Sequence, residues 1–266
     1  MARASARVTP HPSAATSSAS EPVFVFESNV AGKHERGSAL LAAKCYGAMD
    51  GKGSGHVSNS YAIPTANGES EPLTKDVIAN YVRGFLTYAE SHPALQFRVT
   101  AIANENPYLR SADVAALFKS APKNCLLPGR WLECLGRLKT ARIILLDTSA
   151  LLRRPAALRC MDEYFATYAP LWKAEGIEIV SIGPAASIVA NDQYARRCKY
   201  QHRIIGVNEA IHKSYVAQVR EDTAVWYATR LVSVTTPDQT SQAHQLRVIW
   251  AAQRAGLEID DVLIEE

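Results

Sequence analysis

VFVFESNVAGKHERGSALLAAK, residues 23–44, is the segment from which the fold can be worked out. An apolar run, Val23 to Phe26, stops at a small polar loop holding Ser28, Asn29, Gly32 and Gly37, and an Ala/Leu-rich helical run follows. Strand, glycine-containing loop and helix are how α/β proteins hold a phosphate. Glycine lets the backbone come close, and the helix N-terminus offers free N–H groups at the positive end of its dipole. Many α/β domains carry such a loop and bind nothing there, so spacing alone leaves both readings open.

Outward from this segment the pattern repeats. Four glycines between Gly47 and Gly55 read as a flexible loop, and Ser60 to Thr65 as a short strand. Thr74 is placed to cap a helix in which Val77, Ile78, Tyr81, Val82, Phe85, Leu86 and Ala89 recur at helical spacing. Phe97 to Ala103 reads as a strand, Ser111 to Phe118 as a helix and Asn124 to Pro128 as a last short strand. A second unit begins near Arg137. Ala141 to Asp147 is the clearest buried strand, followed by a helix through Met161–Trp172 and strands at Ile177–Ile182, His202–Val207, Arg230–Val234 and from Leu257. Helices are expected over Arg220–Thr229 and Gln245–Arg254. Alternating β and α elements with short joints predict two α/β domains, a mixed sheet over 22–136 and a doubly wound, Rossmann-like parallel sheet over 137–266. Ligands in such sheets sit outside the carboxyl ends of the strands. In the second unit that means the loops with Asp147, Thr148 and Ser149, with Gly183 to Ser187, and with Thr235 to His244.

The bulk numbers narrow the class. The chain has 266 residues, 47% of them apolar and 21% charged, as in an ordinary soluble protein. A formal charge of +3 is weak and neither demands nor excludes nucleic acid; the expected partner is a nucleotide-like small molecule, with nucleic acid the less expected one. No apolar run approaches the roughly 18 residues of a membrane helix. Five scattered cysteines without a CxxC argue against a disulfide framework or a zinc site and for a reducing, cytoplasmic setting. Residues 1–21, rich in Ala, Ser, Thr and Pro, are expected to form a disordered tail.

Two resemblances add to this. FESNVAGKH with the Ala-rich helix, Gly47-Ala48, the glycine loop, SYAIPT and the Phe97–Thr100 strand resemble a phage-associated family whose pattern is FGSNLAGRHG. That family is similar in layout to macro domains, which bind ADP-ribose. The resemblance implies Ser28, Asn29, Gly32 and Gly37 around a ribose or diphosphate; His34, in the same loop, and Thr65, where the Ser60 strand closes, are further candidate binding residues. Glu27 and Glu35 stand where the family has glycine, and Asn104-Glu105-Asn106-Pro107 replaces its glycine-rich loop. Added carboxylates repel phosphate and lost glycines block close backbone approach. Residues 141–260 resemble the SLOG group of Rossmann-like nucleotide sensors, including DprA-like domains. Of that group's phosphate-loop glycines only Gly183 is present. The resemblances imply binding, sequestration or hydrolysis of an ADP-ribose- or NAD-related signalling nucleotide in a phage–host defence setting. The alternative is a non-enzymatic interaction or virion-associated protein with decayed sites, acting through a protein partner or a second copy of itself.

Other chemistry is thinner. Histidines 34, 56, 92, 202, 212 and 244 have no shared metal spacing, and no metal is expected. Ser149 and Ser187 follow strands without a GxSxG elbow, which argues against serine hydrolase chemistry at either. Asp147, at a strand end, is the best-placed carboxylate for a ribose hydroxyl or a metal, and equally suits a helix cap or turn. Arg196, Arg197 and Lys199 read as a solvated helix face.

Overall fold

The computed structural model describes residues 21–104, 106–146, 154–207, 209–236 and 243–264. They form two five-stranded sheets. The first is built from β1 (Val23–Asn29), β2 (Gly55–Val57), β3 (Ser60–Ala66), β4 (Phe97–Val99) and β5 (Cys125–Leu126), in the order β2-β3-β1-β4-β5. β1 lies between β3 and β4 and runs parallel to both, while β2 pairs antiparallel with β3. The sheet is mixed, as expected.

β1 is apolar on every residue from Val23 to Phe26 because both of its faces are covered. Val23 and Val25 point into a core with α2 (Lys75–Ser91) and α3 (Ser111–Leu117). Phe24 and Phe26 point the other way, onto α1 (Gly37–Cys45) and Tyr46. Phe85 of α2 is fully buried, with ring centroids 4.9 Å from Tyr61 and 5.6 Å from Phe97. Burying such a ring contributes about 1.5–3 kcal/mol. A short helix, α4 (Gly129–Cys134), closes this core with Trp131.

The second sheet has β6 (Thr140–Leu146), β7 (Gly176–Ser181), β8 (Gln201–Ile204), β9 (Arg230–Thr235) and β10 (Glu258–Leu263). Its order is β10-β9-β6-β7-β8 with every pairing parallel. That is the doubly wound arrangement, with its topological switch between β6 and β9. The helices α5 (Pro155–Tyr168) and α6 (Ala185–Cys198) cover one face. The other face carries α8 (Val216–Tyr227), which follows the one-turn α7 (Glu209–His212), and α9 (Ala243–Arg254).

Helix α8 also joins the two sheets. Its Val219 enters the core under Phe24 and Phe26, and Trp226 Nε1 donates to the Val99 carbonyl at 2.7 Å. Arg98 of β4 donates to Thr223 Oγ1 at 3.0 Å and lies over the Trp226 ring.

Several boundaries differ from expectation. Ser28 and Asn29 lie on β1 itself, not in the loop. The glycine-rich segment carries β2 and is docked, with Gly53 buried. The Phe97 strand ends at Val99, and α8 starts four residues before Arg220. β7 opens at Gly176, one residue before the expected start at Ile177. Thr74 is the N-cap of α2 but makes no side-chain cap bond. No helix among the described residues is long and apolar enough to cross a membrane.

Candidate functional site

The carboxyl ends of β1 and β3 and the loop after β4 enclose a cleft of ≈ 210 Å³. Ser28, Asn29 and Thr65, all expected, line it. So do Glu27, Lys33, Arg36 and Asn106. Its placement follows from topology: parallel strands deliver their ends to one edge, and the next helix begins there.

Each lining residue has a distinct job. The Asn29 amide clamps its own loop, donating to the Lys33 carbonyl at 3.1 Å and accepting the Lys33 N–H at 3.0 Å. It braces the cleft rather than offering its amide to a ligand. Thr65 Oγ1 donates to the Ser28 carbonyl at 3.5 Å. Asn106 is buried, ties the loop after β4 to the Leu73 carbonyl at 3.0 Å, and accepts the Tyr108 N–H. Lys33 and Arg36 are the cations of the rim. Arg36 is the N-cap of α1 and makes no side-chain cap bond, and the first turn of α1 carries no acid. The positive end of that helix therefore faces the cleft wall at Ala39.

Glu27, half-buried, is the carboxylate of the lining. Its Oε2 accepts the Ala103 N–H at 3.0 Å. Ala103 has φ +58, a left-handed turn taken by a non-glycine residue. The carboxylate thus occupies that backbone donor. Glu35 is exposed and does not line the cleft, so only one of the two added carboxylates bears on it.

Three expected residues stand elsewhere. Gly32 has φ +69, and a Cβ there would lie 2.5 Å from the Lys52 amide nitrogen. It is needed for a turn and for docking of the 47–55 segment, not for ligand approach. His34 does not line the cleft. Its side chain is 0% exposed, behind Ser28, with Nε2 3.2 Å from Ser28 Oγ. Gly37 opens α1 with φ +57. Asp147, Thr148 and Ser149 lie outside the described residues.

Gly183 belongs to the other sheet, past the carboxyl end of β7, with φ +98. A Cβ there would stand 3.0 Å from His244 Nε2. His244 Nδ1 meets buried Glu221 at 2.8 Å, and Arg247 bonds the same carboxylate at 3.0 and 3.2 Å. Burial pushes the Glu221 carboxyl up, but those bonds outweigh it and leave it below its ordinary value. Gly183 and His244, one residue from each of two segments expected at this end, therefore meet, and the histidine is oriented by a carboxylate.

A smaller cavity of ≈ 80 Å³ lies between the sheets, lined by Arg98, Thr100, Asp222, Trp226 and Arg254 among others. Burial pushes the half-buried Asp222 up from 3.8 to about 6, against the pull of Arg254 and Arg98. A carboxyl raised in the fold holds its proton where the unfolded chain has already lost it. Its contribution is therefore best below about pH 4, declines as pH rises to about 6, and is flat above. Two pH units correspond to ~3 kcal/mol, reduced by partial solvation to about 1–2. Asp222→Asn is expected to raise stability by that amount at pH 7.5 and not at pH 4. Urea unfolding at the two pH values checks it, and an equal gain at both would rule out the titration as cause.

Arg196 pairs with Asp192 and Arg197 with Asp162, as on a solvated helix face. All five cysteines are free thiols. Among the described residues no three His, Cys, Asp or Glu side chains cluster in a way that would hold a metal ion. No family model, no curated protein and no solved structure matches this chain.

Proposed function

We propose that the chain binds a nucleotide-like ligand of the ADP-ribose or NAD-related class in the cleft at the ends of β1 and β3. The observation that carries this is a lining that combines cations with one carboxylate. Lys33, Arg36 and the start of α1, which has no side-chain cap bond, share the lining with the Glu27 carboxylate. Phosphate oxygens fit the cations. Ribose hydroxyls, which donate, fit Glu27 and not a second phosphate. The volume is below the roughly 300–1,000 Å³ of drug-sized pockets, which suits one ribose-phosphate portion inside and the rest of the ligand outside. The resemblances to macro-like and SLOG-type nucleotide binders support the same class. They extend it to sequestration or cleavage of a phage–host defence signal.

Glu27 on the Ala103 amide favours a second reading, an interaction protein whose site has been plugged from within. Calorimetry with ADP-ribose, NAD and cyclic dinucleotides separates the two. Saturable binding is expected, with Arg36→Ala weakening it about 10-fold, the loss of one charge-assisted contact. Titrations without heat for every nucleotide, and no nucleotide released on denaturation, would establish the second reading instead.

A further inference from the structure

Two hydroxyl–imidazole–carboxylate arrays occur among the described residues. In one, Ser28 Oγ is 3.2 Å from His34 Nε2, and Asp50 Oδ1 is 3.7 Å from His34 Nδ1. In the other, Ser181 Oγ is 2.8 Å from His202 Nε2, and Asp192 Oδ1 is 3.2 Å from His202 Nδ1. Access separates them. Ser181 is fully buried, and Asn191 Nδ2 donates to its Oγ at 2.9 Å, so that array braces β7 against β8 and α6. Ser28 lines the cleft.

The surroundings of Ser28 match what an activated nucleophile needs. The His34 ring is held edge-on against Phe26, centroids 5.2 Å apart at 81°. The Asn29 clamp fixes the backbone that leads from Ser28 to His34. Nδ1 is buried without a hydrogen-bond partner and faces the exposed Asp50 carboxylate, the charged group directed at the ring. That carboxylate favours the tautomer with its proton on Nδ1 and a lone pair on Nε2 toward Ser28. Burial lowers the ring below its ordinary 6.5, the Asp50 carboxylate opposing, so it is neutral at pH 7 and its Nε2 lone pair can accept a proton. The Ser28 hydroxyl has a second acceptor, the Asn29 carbonyl at 3.2 Å, and rotates between the two.

We propose that Ser28 is a nucleophile activated by His34, acting on electrophilic phosphorus in a phosphate ester or anhydride held against Lys33 and Arg36. The proposal rests on the reading of the cleft as a nucleotide site. Ser28 Oγ attacks phosphorus and its proton passes to His34 Nε2. The Oγ–P bond forms, the P–O bond to the leaving group breaks, and the leaving oxygen takes the proton from His34. Water then attacks the phosphoserine, its proton going to His34 and on to the departing Ser28 Oγ. Lys33, Arg36 and the first N–H groups of α1 stabilise the charge on the phosphoryl oxygens. His34 is a positioning and proton-transfer residue behind the cleft, and Ser28 is the catalytic one.

The test is labelling of the full chain with diisopropyl fluorophosphate, which forms the same Oγ–P bond and releases fluoride. Mass spectrometry is expected to place one adduct on Ser28. Ser28→Ala abolishes it, His34→Gln slows it about 10²-fold, and Ser181→Ala labels like the wild type. Should His34→Gln fail to fold, the exposed Asp50→Asn still reports, with slower labelling expected. The wild-type rate is level above neutrality and falls where His34 takes a proton, below 6.5. A structural serine gives no such profile. An adduct elsewhere, or none on a protein that binds ADP-ribose by calorimetry, overturns the nucleophile and leaves the binding reading standing. Labelling of Ser28 without nucleotide binding sinks the binding reading instead.

Discussion

Gly53→Ala is expected to cost about 3 kcal/mol or more and to abolish ligand binding in the cleft. The reason is distance, not backbone freedom. A Cβ at Gly53 would lie 2.2 Å from the Asn29 carbonyl oxygen and 2.7 Å from that of Val30. Neither atom can retreat. The Val30 N–H donates to Ala66 at 3.0 Å, the Gly32 N–H to Asn29 at 2.9 Å, and the Gly51 N–H to Gly32 at 3.0 Å. Overpacking against rigid backbone costs typically 1–3 kcal/mol and more where nothing yields. At roughly 2–4 °C per kcal/mol the melting temperature falls on the order of 10 °C. Because Asn29 and its loop form the cleft wall, binding fails with it. Gly51 is the control: its φ is +81, but nothing lies within 4 Å of a Cβ there. Gly51→Ala bears only the left-handed penalty, about 1 kcal/mol. Differential scanning calorimetry on both variants decides, and equal melting temperatures would show that the 47–55 segment is not docked as described.

The same segment shows what a linear reading can and cannot reach. β1, β6, β7 and β9 were legible because parallel strands covered on both faces are nearly uninterrupted apolar runs. β2 was not. It is a three-residue antiparallel edge whose register with β3 is set by a partner downstream, and its glycines read equally as a flexible loop. α4 was missed because its six residues are too few to show a helical period, although Trp131 is fully buried. α8 was placed late because its apolar residues face two different sheets, which blurs the amphipathic stripe that marks a helix with one buried face.

At the site, Ser28, Asn29 and Thr65 were legible as polar residues closing apolar strands. Lys33 and Arg36 stood in the quoted segment without a signal, since whether a loop cation faces a cleft depends on how the loop turns. Asn106 lies 77 residues beyond Asn29 and meets it only through the parallel pairing of β1 and β4. Glu27 was identified as a departure from the family pattern. That its charge is spent on the Ala103 amide required the fold. Gly32 illustrates the converse: glycine in a phosphate-like loop was required by the chain's own packing.

Gly129→Ala is expected to separate the two sheets as unfolding units. Gly129 opens α4, and a Cβ there would lie 2.2 Å from the Tyr227 carbonyl oxygen and 2.6 Å from that of Ala228. Those carbonyls end α8, the helix that serves both cores. α4 cannot slide away. Trp131 is anchored beside Phe118 with centroids 4.8 Å apart, and Glu133 pairs with Arg130 and Arg230, both of which also pair with Glu258. The methyl group therefore pushes α8 off α4, costing about 3 kcal/mol and weakening the bond from Trp226 to Val99. Cooperativity between units depends on the contacts that cross between them. One calorimetric transition in the wild type is expected to become two in the variant. The cleft draws no residue from α4, so ligand binding persists and raises only the transition of the first sheet. Gly84→Ala in α2 is the opposite case, with open space around a Cβ. It is expected to stabilise by up to about 1 kcal/mol, the helix propensity difference. A Gly129→Ala protein that melts in one transition at the wild-type temperature would mean that α8 is not gripped by α4, and that Val219, Arg98, Trp226 and the Glu133–Arg230 and Arg130–Glu258 pairs suffice to couple the two sheets.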